Sequence, residues 1–429
     1  MTVTATVTAT LAIDFGTTNS AAAMLVGSQV RRLPIEVGSD TLPTAVFFPS
    51  DRSTMKIGQA ATDALIGGEV GRYMRAMKSV LGTSLLHEPR LIGGKRRSLA
   101  EIITQFLAQV KHRAEAAAGQ EFTHVLSGRP VHFHTADPDR DVRAEADLHG
   151  CYRAAGFDRV AFMYEPEAAA LATHDLGGAG EIGLIIDIGG GTSDYSLFRS
   201  DVAGMRILAS HGIRLGGTDF DQALSMTHAM PYLGLNGQLR REMGAGLLPV
   251  PRAIYLDLAT WAKIPFVYTP ETRTQVAQMV KLAVKPRLMR RLATVVQAEL
   301  GHDLAFAVER GKIGANGGDL AARIDMQRVE AGLSVPITAA SSDKALSRFR
   351  GALTEAAQHT CDLAGVAADS VRTVILVGGS SLMAIIADQA RAQFPGAVLR
   401  RSEPFTAVVD GLALATAMPN SLGLGWRLS

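Results

Sequence analysis

The feature that most constrains the fold is a short text written twice. Leu-Ala-Ile-Asp-Phe-Gly occupies residues 11–16, and Leu-Ile-Ile-Asp-Ile-Gly occupies 184–189. A strand ending in Asp that runs into a Gly/Thr turn thus recurs about one domain length later. Such a repeat predicts a duplicated α/β fold with two related lobes. At 429 residues the chain is too long for one core, which also points to two or more domains. Each copy continues alike. The turn Gly16-Thr17-Thr18 leads into a strand over Asn19–Val26, and Gly189-Gly190-Gly191-Thr192 leads into one over Tyr195–Arg199.

An ionised carboxylate inside an apolar strand is costly unless a cation or hydrogen bonds compensate it. The two turns supply what a metal-bound triphosphate requires. Glycine lets backbone N–H groups approach and point at phosphate oxygens, Thr hydroxyls add donors, and Asp14 and Asp187 can hold the waters around Mg2+. One such turn is equally an ordinary hairpin, in which Asp and Gly serve conformation alone. Two copies, each with its Asp set in an apolar strand, point to a phosphate clamp.

Other elements follow from periodicity. Apolar residues Leu99, Ile102, Ile103, Phe106, Leu107 and Val110 predict a helix over Ser98–Ala118. A strand over Thr123–Ser127 ends at Gly128-Arg129-Pro130, and a helix over Asp139–Ala155 is closed by Gly156. Val160–Tyr164 reads as a strand, with Glu165-Pro166 opening a helix. After the glycine-rich break at Gly177–Gly180 the second copy begins. Residues from about His228 to Glu355 read as a helical insertion, with Leu288, Leu292, Val296 and Leu300 on one stripe and Arg287, Arg290 and Arg291 on a solvated face. Strand Val371–Val377 then meets Gly378-Gly379-Ser380, either a plain strand-to-helix connection or a close approach to base or phosphate.

Composition narrows the partners. A formal charge of +2 with scattered Arg pairs gives no basic stripe, so no nucleic acid is expected. No run nears the roughly 20 apolar residues of a bilayer span, so no membrane partner is expected. Residues 1–10 lack a basic n-region and read as a disordered leader, which leaves the cytoplasm by elimination. Cys151 and Cys361 read as small buried thiols. His132 and His134 could form a metal pair, but without a third ligand nearby they read as surface histidines. Phe220, Trp261 and Phe266 read as core.

Taken together, the chain resembles the nucleotide-binding domain of DnaK-type heat-shock chaperones, within the actin-like ATPase superfamily. The resemblance rests on Ile-Asp-Phe-Gly-Thr-Thr-Asn-Ser at 13–20, Glu-Pro-Glu-Ala-Ala-Ala-Leu-Ala at 165–172 and Asp-Ile-Gly-Gly-Gly-Thr-Ser-Asp at 187–194. It continues through Leu-Gly-Gly-Thr-Asp-Phe-Asp at 215–221, Val-Glu-Arg-Gly-Lys-Ile at 308–313 and Ile-Leu-Val-Gly-Gly-Ser-Ser at 375–381. Met77-Lys78-Ser79, Gly128-Arg129-Pro130-Val131 and the long insertion resemble the YegD-type branch, whose members lack the usual C-terminus. The implied fold has two ribonuclease-H-like sheets flanking a nucleotide cleft. Its expected limits are lobe one over 11–176, lobe two over 177–403 with the insertion at about 228–355, a C-terminal helix over 404–417 returning to lobe one, and a tail over 418–429.

The resemblance also implies roles. ATP or ADP with Mg2+ would be the ligand, held by Gly16, Thr17, Thr18 and Asn19 from the first loop and Gly189, Gly190, Gly191 and Thr192 from the second. Gly216 and Gly217 join them, Asp14 and Asp187 lie around the metal through water, and Asp194 stands at a catalytic carboxylate position. Glu165 would orient the attacking water, and Lys78, with Arg75 as second candidate, would reach the terminal phosphate. Glu309 and Lys312 would bind ribose hydroxyls, with Ile313 and Asn316 on the same stretch and Gly378, Gly379 and Ser380 beneath adenine. Four positions depart from the family: Ile313 replaces an Arg that stacks on adenine, Leu382 and Ala384 replace Arg and Pro, and Phe405 replaces Asp. Loss of a cation over the base weakens stacking by ~0.5–2 kcal/mol.

The expected function is slow ATP hydrolysis by a chaperone-family protein, with a protein client or co-chaperone as the implied partner. The match ends near Ala417, so no peptide-binding β-sandwich is expected. An ATP-dependent switch without turnover is the first alternative, a small-molecule kinase the second and a filament former the third.

Overall fold

The two written copies become two sheets of one topology in the computed structural model, which describes residues 9–172, 180–201, 204–403 and 406–418. Most of the expected leader, Gly177–Ala179 of the glycine-rich break, Phe405, and the tail beyond Met418 lie outside the described residues. The chain divides into two compact units: residues up to Gly217 together with those from Gly351 onward, and Thr218–Arg350.

Both sheets belong to the first unit. In the first, β1 (Thr10–Phe15), β2 (Asn19–Val26) and β3 (Gln29–Leu33) form an antiparallel meander, and β4 (His124–Arg129) and β5 (Arg159–Tyr164) add in parallel beyond β1. The second repeats this with β6 (Ile182–Ile188), β7 (Ser193–Asp201) and β8 (Gly204–Ile213) as the meander, and β9 (Val371–Val377) and β10 (Val398–Arg401) in parallel. The spatial orders, β3-β2-β1-β4-β5 and β8-β7-β6-β9-β10, correspond strand for strand. β1 begins at Thr10, inside the segment read as leader, because Thr10 pairs with His124.

The parallel strands of the first sheet are fed by two helices with explicit start signals. In α1 (Leu99–Ala118) the Ser98 hydroxyl accepts from the Glu101 N–H while the Glu101 carboxylate accepts from the Ser98 N–H, which satisfies two otherwise orphaned donors. In α2 (Pro138–Ala154) Asp137 caps the start and Pro138 occupies the first turn. A smaller three-stranded sheet centres on Ala45–Pro49, with Lys56–Ile57 and Gly71–Arg75 on either side.

Two short helices, α3 (Glu165–Ala172) and α4 (Ala407–Ala415), lie in the core that joins the sheets. Ala168, Ala169 and Ala170 of α3 meet Val408, Leu412 and Ala413 of α4, together with Ala12 and Leu126 of the first sheet and Ile185 and Ile375 of the second. The helices cross almost backbone to backbone: a Cβ on Gly411 would lie 1.6 Å from the Ala168 carbonyl oxygen. This explains the alanine-rich composition of α3.

The second unit is mainly helical and includes the helices Pro286–Gln297 and Gly301–Asn316. Here one expectation fails. Arg291 is buried, its Nε and Nη2 donating to Glu330 at 2.7 and 2.9 Å and its Nη1 to the Tyr232 carbonyl at 3.2 Å. Helical spacing places Arg287 and Arg291 one turn apart, where both reach Glu330. Phe220 and Trp261 are buried as expected, while Phe266 is half-buried. His134 also departs from expectation. It is buried, with its Nε2 2.7 Å from the Leu81 carbonyl. Cys151 and Cys361 are buried free thiols. Among the described residues no helix is long and apolar enough to cross a membrane.

The crossing gives a direct test. Gly411→Ala should destabilise the fold by about 1–3 kcal/mol through overpacking, whereas Gly150→Ala in α2, where a Cβ meets nothing within 4 Å, should be neutral or slightly stabilising. Denaturant unfolding of both variants checks the contrast.

Candidate functional site

Asp14 is the penultimate residue of β1 and Asp187 the penultimate residue of β6, so the duplicated topology brings the two acids to equivalent strand ends. Their cross-strand partners differ. Asp14 lies opposite Ala21, whereas Asp187 lies opposite Asp194. Like charges directly across a ladder repel, so the second strand end carries two carboxyl groups that disfavour joint ionisation where the first carries one.

Lys78 and Glu165 complete the cluster. Lys78 arrives on the short 3-10 helix Met77–Val80, entered through Ala76 at φ 61°. A left-handed Ala is uncommon and marks a turn held by its surroundings; it precedes the segment that carries Lys78 inward. The Lys78 Nζ donates to Glu165 Oε1 at 2.5 Å, with both side chains largely buried. Glu165 is the first residue of α3 and projects beside Gly128, where a Cβ would lie 3.1 Å from its Cγ. Arg75, the second candidate for the lysine role, lies at the end of the strand Gly71–Arg75.

Burial and mutual repulsion shift these acids. Burial, then the charge of Glu165, pushes Asp14 up to about 7. Asp194 is pushed up to about 8 by burial and Glu165, against a Val131 N–H that donates to Asp194 Oδ1 at 2.6 Å and a bond from Thr192. Asp187 is held well above the ordinary carboxylate range by burial, then by Glu165, Asp194 and Asp14. Lys78 opposes the rise in each case. The cluster therefore has room for further positive charge. Among the described residues no three His, Cys, Asp or Glu side chains converge to hold an ion unaided, so a divalent cation here would need oxygens from water or phosphate.

The two Gly/Thr loops interlock beside these acids. A Cβ on Gly190 would lie 2.7 Å from Thr18 Cγ2 and 3.1 Å from Thr17 Cβ, and one on Gly191 would lie 3.1 Å from Thr17 Oγ1. Only glycine permits this approach. The Gly189 N–H donates to the Thr192 carbonyl at 3.0 Å and closes the second turn. In the first turn a Cβ on Gly16 would lie 2.2 Å from the Asn19 carbonyl oxygen, and the Asn19 Nδ2 lies 3.5 Å from Thr18 Oγ1.

A third layer packs beneath. Gly216 abuts the Gly190–Gly191 backbone, while the Gly217 N–H donates to the Gly189 carbonyl at 3.0 Å. Gly378, at φ +80°, passes so close that a Cβ would sit 2.4 Å from Asp187 Oδ1; Gly379 and Ser380 follow in the 3-10 helix Gly379–Leu382. Ser380 lies against Gly217.

The first unit thus gathers Asp14, Lys78, Glu165, Asp187 and Asp194 with both loops, Gly216–Gly217 and Gly378–Ser380. Glu309, Lys312, Ile313 and Asn316 lie on the helix Gly301–Asn316 in the second unit. There the Lys312 Nζ pairs with Asp221 Oδ1 at 2.7 Å, and the Trp261 Nε1 donates to Asp221 Oδ2 at 3.0 Å. Ile313 is 61% exposed. Sequence reasoning did not single out Asp221, although it closes the Leu-Gly-Gly-Thr-Asp-Phe-Asp text. It also gave no role to the Val131 N–H, a backbone donor that side-chain patterns cannot reveal. Arg214 was likewise unmarked; its Nη1 donates to the Gly191 carbonyl at 3.1 Å.

Two sheets of matching order, each ending in an acid beside a Gly/Thr turn, define an actin-like ATPase fold. A family model described as Hsp70 protein matches residues 10–232, more than half the chain, and the chain belongs to the Hsp70 family. It is similar to a chaperone protein HscA homolog of Pseudomonas putida, 31% identical over 233 residues, which are 50% of this chain and 36% of that protein. A chaperone protein HscA homolog of Burkholderia pseudomallei is 27% identical over 419 residues, 94% of this chain and 57% of that protein. The chain thus spans about half the length of the curated relatives it matches.

The raised acids set the pH dependence of the ligand-free protein. A carboxylate whose folded pKa exceeds its unfolded value contributes stability below about pH 4 that is lost as pH rises through the folded value. For Asp14 and Asp194 that loss begins near pH 4 and is complete above about 7 and about 8. His211, pushed down to about 4 by burial and by His359 and His132, acts oppositely, but its effect is complete above about pH 6.5. Melting temperature should therefore fall between about pH 6.5 and 8 and level off above. Asp194→Asn should flatten that fall and raise the melting point at pH 8 by about 2–4 °C, as read by differential scanning fluorimetry.

Proposed function

We propose that the chain binds ATP with Mg2+ on the interlocked loops and hydrolyses it slowly. The observation that carries this reading is the convergence of Asp14, Lys78, Glu165, Asp187 and Asp194 at the strand ends that also present Thr17-Thr18 and Gly189–Thr192. The residues fit a divalent cation by charge: Asp14 and Asp187 would hold it through water, and its chemistry would be to neutralise and orient the phosphates.

The protein's own groups would do the rest. Backbone N–H groups of the two glycine turns and the hydroxyls of Thr17, Thr18 and Thr192 bind the phosphate tail. The Lys78 ammonium meets charge building on the terminal phosphate. Glu165, which Lys78 already grips at 2.5 Å, orients the attacking water, with Asp194 beside it. The water oxygen bonds to the terminal phosphorus, the bond to the bridging oxygen breaks, and the water proton leaves to solvent or a carboxylate. Alignment and electrostatics supply the rate rather than a covalent intermediate. Glu309, Lys312, Ile313 and Asn316 retain the nucleoside roles that the family resemblance implies, and a protein client or co-chaperone remains the proposed partner class.

Single-turnover hydrolysis together with titration calorimetry tests this. Asp187→Asn and Thr192→Ala should each slow phosphate release about 100-fold or more. A wild-type rate in both sinks the site assignment. Tight Mg2+-dependent ATP binding with no phosphate release over hours would replace the hydrolase with a non-hydrolysing switch.

A further inference from the structure

The segment between β4 and α2 crosses from the first sheet to Asp194 of the second, and Arg129 holds it. Arg129 is the last residue of β4 and is 9% exposed. Its guanidinium stacks between two rings, 5.2 Å from the Phe133 centroid and 5.3 Å from that of Tyr164. The Arg129 Nε donates to the Pro130 carbonyl at 3.0 Å, Nη2 donates to the Val131 carbonyl at 3.1 Å, and Nη1 donates to Glu145. Asp141 of α2 lies 3.7 Å from Nη2 and accepts the Phe133 and His134 N–H groups at 2.5 and 3.1 Å. From residue 129 to 134 the strap is therefore pinned at successive peptides.

What the strap presents is the Val131 N–H, which donates to Asp194 Oδ1. Because the guanidinium holds the carbonyls on both sides of that N–H, it fixes the direction in which the N–H points. Its other ring contact, Tyr164, directly precedes Glu165 and lies opposite Arg129 in the β4–β5 register. One buried cation thus sits behind two acids of the cluster without touching either. A lysine has neither the planar face for two rings nor a fork of donors for two carbonyls and a carboxylate.

We propose that Arg129 is a positioning residue for hydrolysis, acting through the Val131 N–H to hold Asp194 and through the Tyr164 ring to hold the start of α3 at Glu165. The inference rests on the ATPase reading of the site, and its structural part can be tested without turnover.

In ligand-free protein, Arg129→Met should speed hydrogen exchange of the Val131 amide about tenfold or more while the Leu126 amide in β4 keeps its protection. Unchanged exchange at Val131 overturns the inference whether or not the protein hydrolyses ATP. In single-turnover assays, Arg129→Met should slow hydrolysis about tenfold or more with the Mg2+–ATP dissociation constant held within about threefold. Combined with Asp194→Asn it should slow hydrolysis by clearly less than the product of the two single losses, because only the Tyr164–Glu165 arm is left to lose. Leu148→Ala, in the buried face of α2, should lower the melting temperature without slowing hydrolysis, which separates positioning from loss of stability. Fully multiplicative losses in the double variant, or weakened binding at an unchanged rate, overturn the inference. A wild-type protein with no turnover removes the ATPase reading, and the amide exchange then decides the Arg129 link alone.

Discussion

The Lys78–Glu165 ion pair is the interaction on which the site depends. Asp14, Glu165, Asp187 and Asp194 are drawn together by strand ends and a helix start, and the ammonium of Lys78 opposes the rise in each shifted acid. Buried like charges resist such an arrangement, so the fold tolerates it by letting acids take up protons or by admitting other cations. The same burial and repulsion weaken the ligand-free protein as pH rises. Backbone packing holds the acids in place meanwhile: the glycine turns meet Thr17 and Thr18 with no space between them, and α3 and α4 cross at Gly411.

Much of this was legible in the sequence because the informative signals are local. The repeated Asp-x-Gly text marks equivalent strand ends, and the topology around it proved to be the same in both sheets. The helix start at Ser98 carries its own chemistry in Ser98 and Glu101. Gly16 and Gly189–Gly191 announce close approach, since a Cβ is what the fold excludes there.

What escaped sequence reasoning is what depends on distant partners. Arg291 follows the pattern of a solvated face until Glu330, 39 residues on, arrives opposite it. His134 looks like a surface residue until the Leu81 carbonyl meets it. The donor to Asp194 is a main-chain N–H, which every residue but proline has and no pattern marks. Ala76 gives no hint of its left-handed backbone, because nothing in an alanine asks for that conformation.

The unequal partners of Asp14 and Asp187 have one more consequence. Two copies of a strand-turn-strand unit that were alike in every residue would present the same face to a bound molecule whichever end entered first. With Ala21 on one side and Asp194 on the other, that equivalence is gone. The two turns thus differ in what stands beside them, two carboxyl groups at the second and one at the first. The identity of a cross-strand neighbour is one way in which a duplicated scaffold has become a directional one.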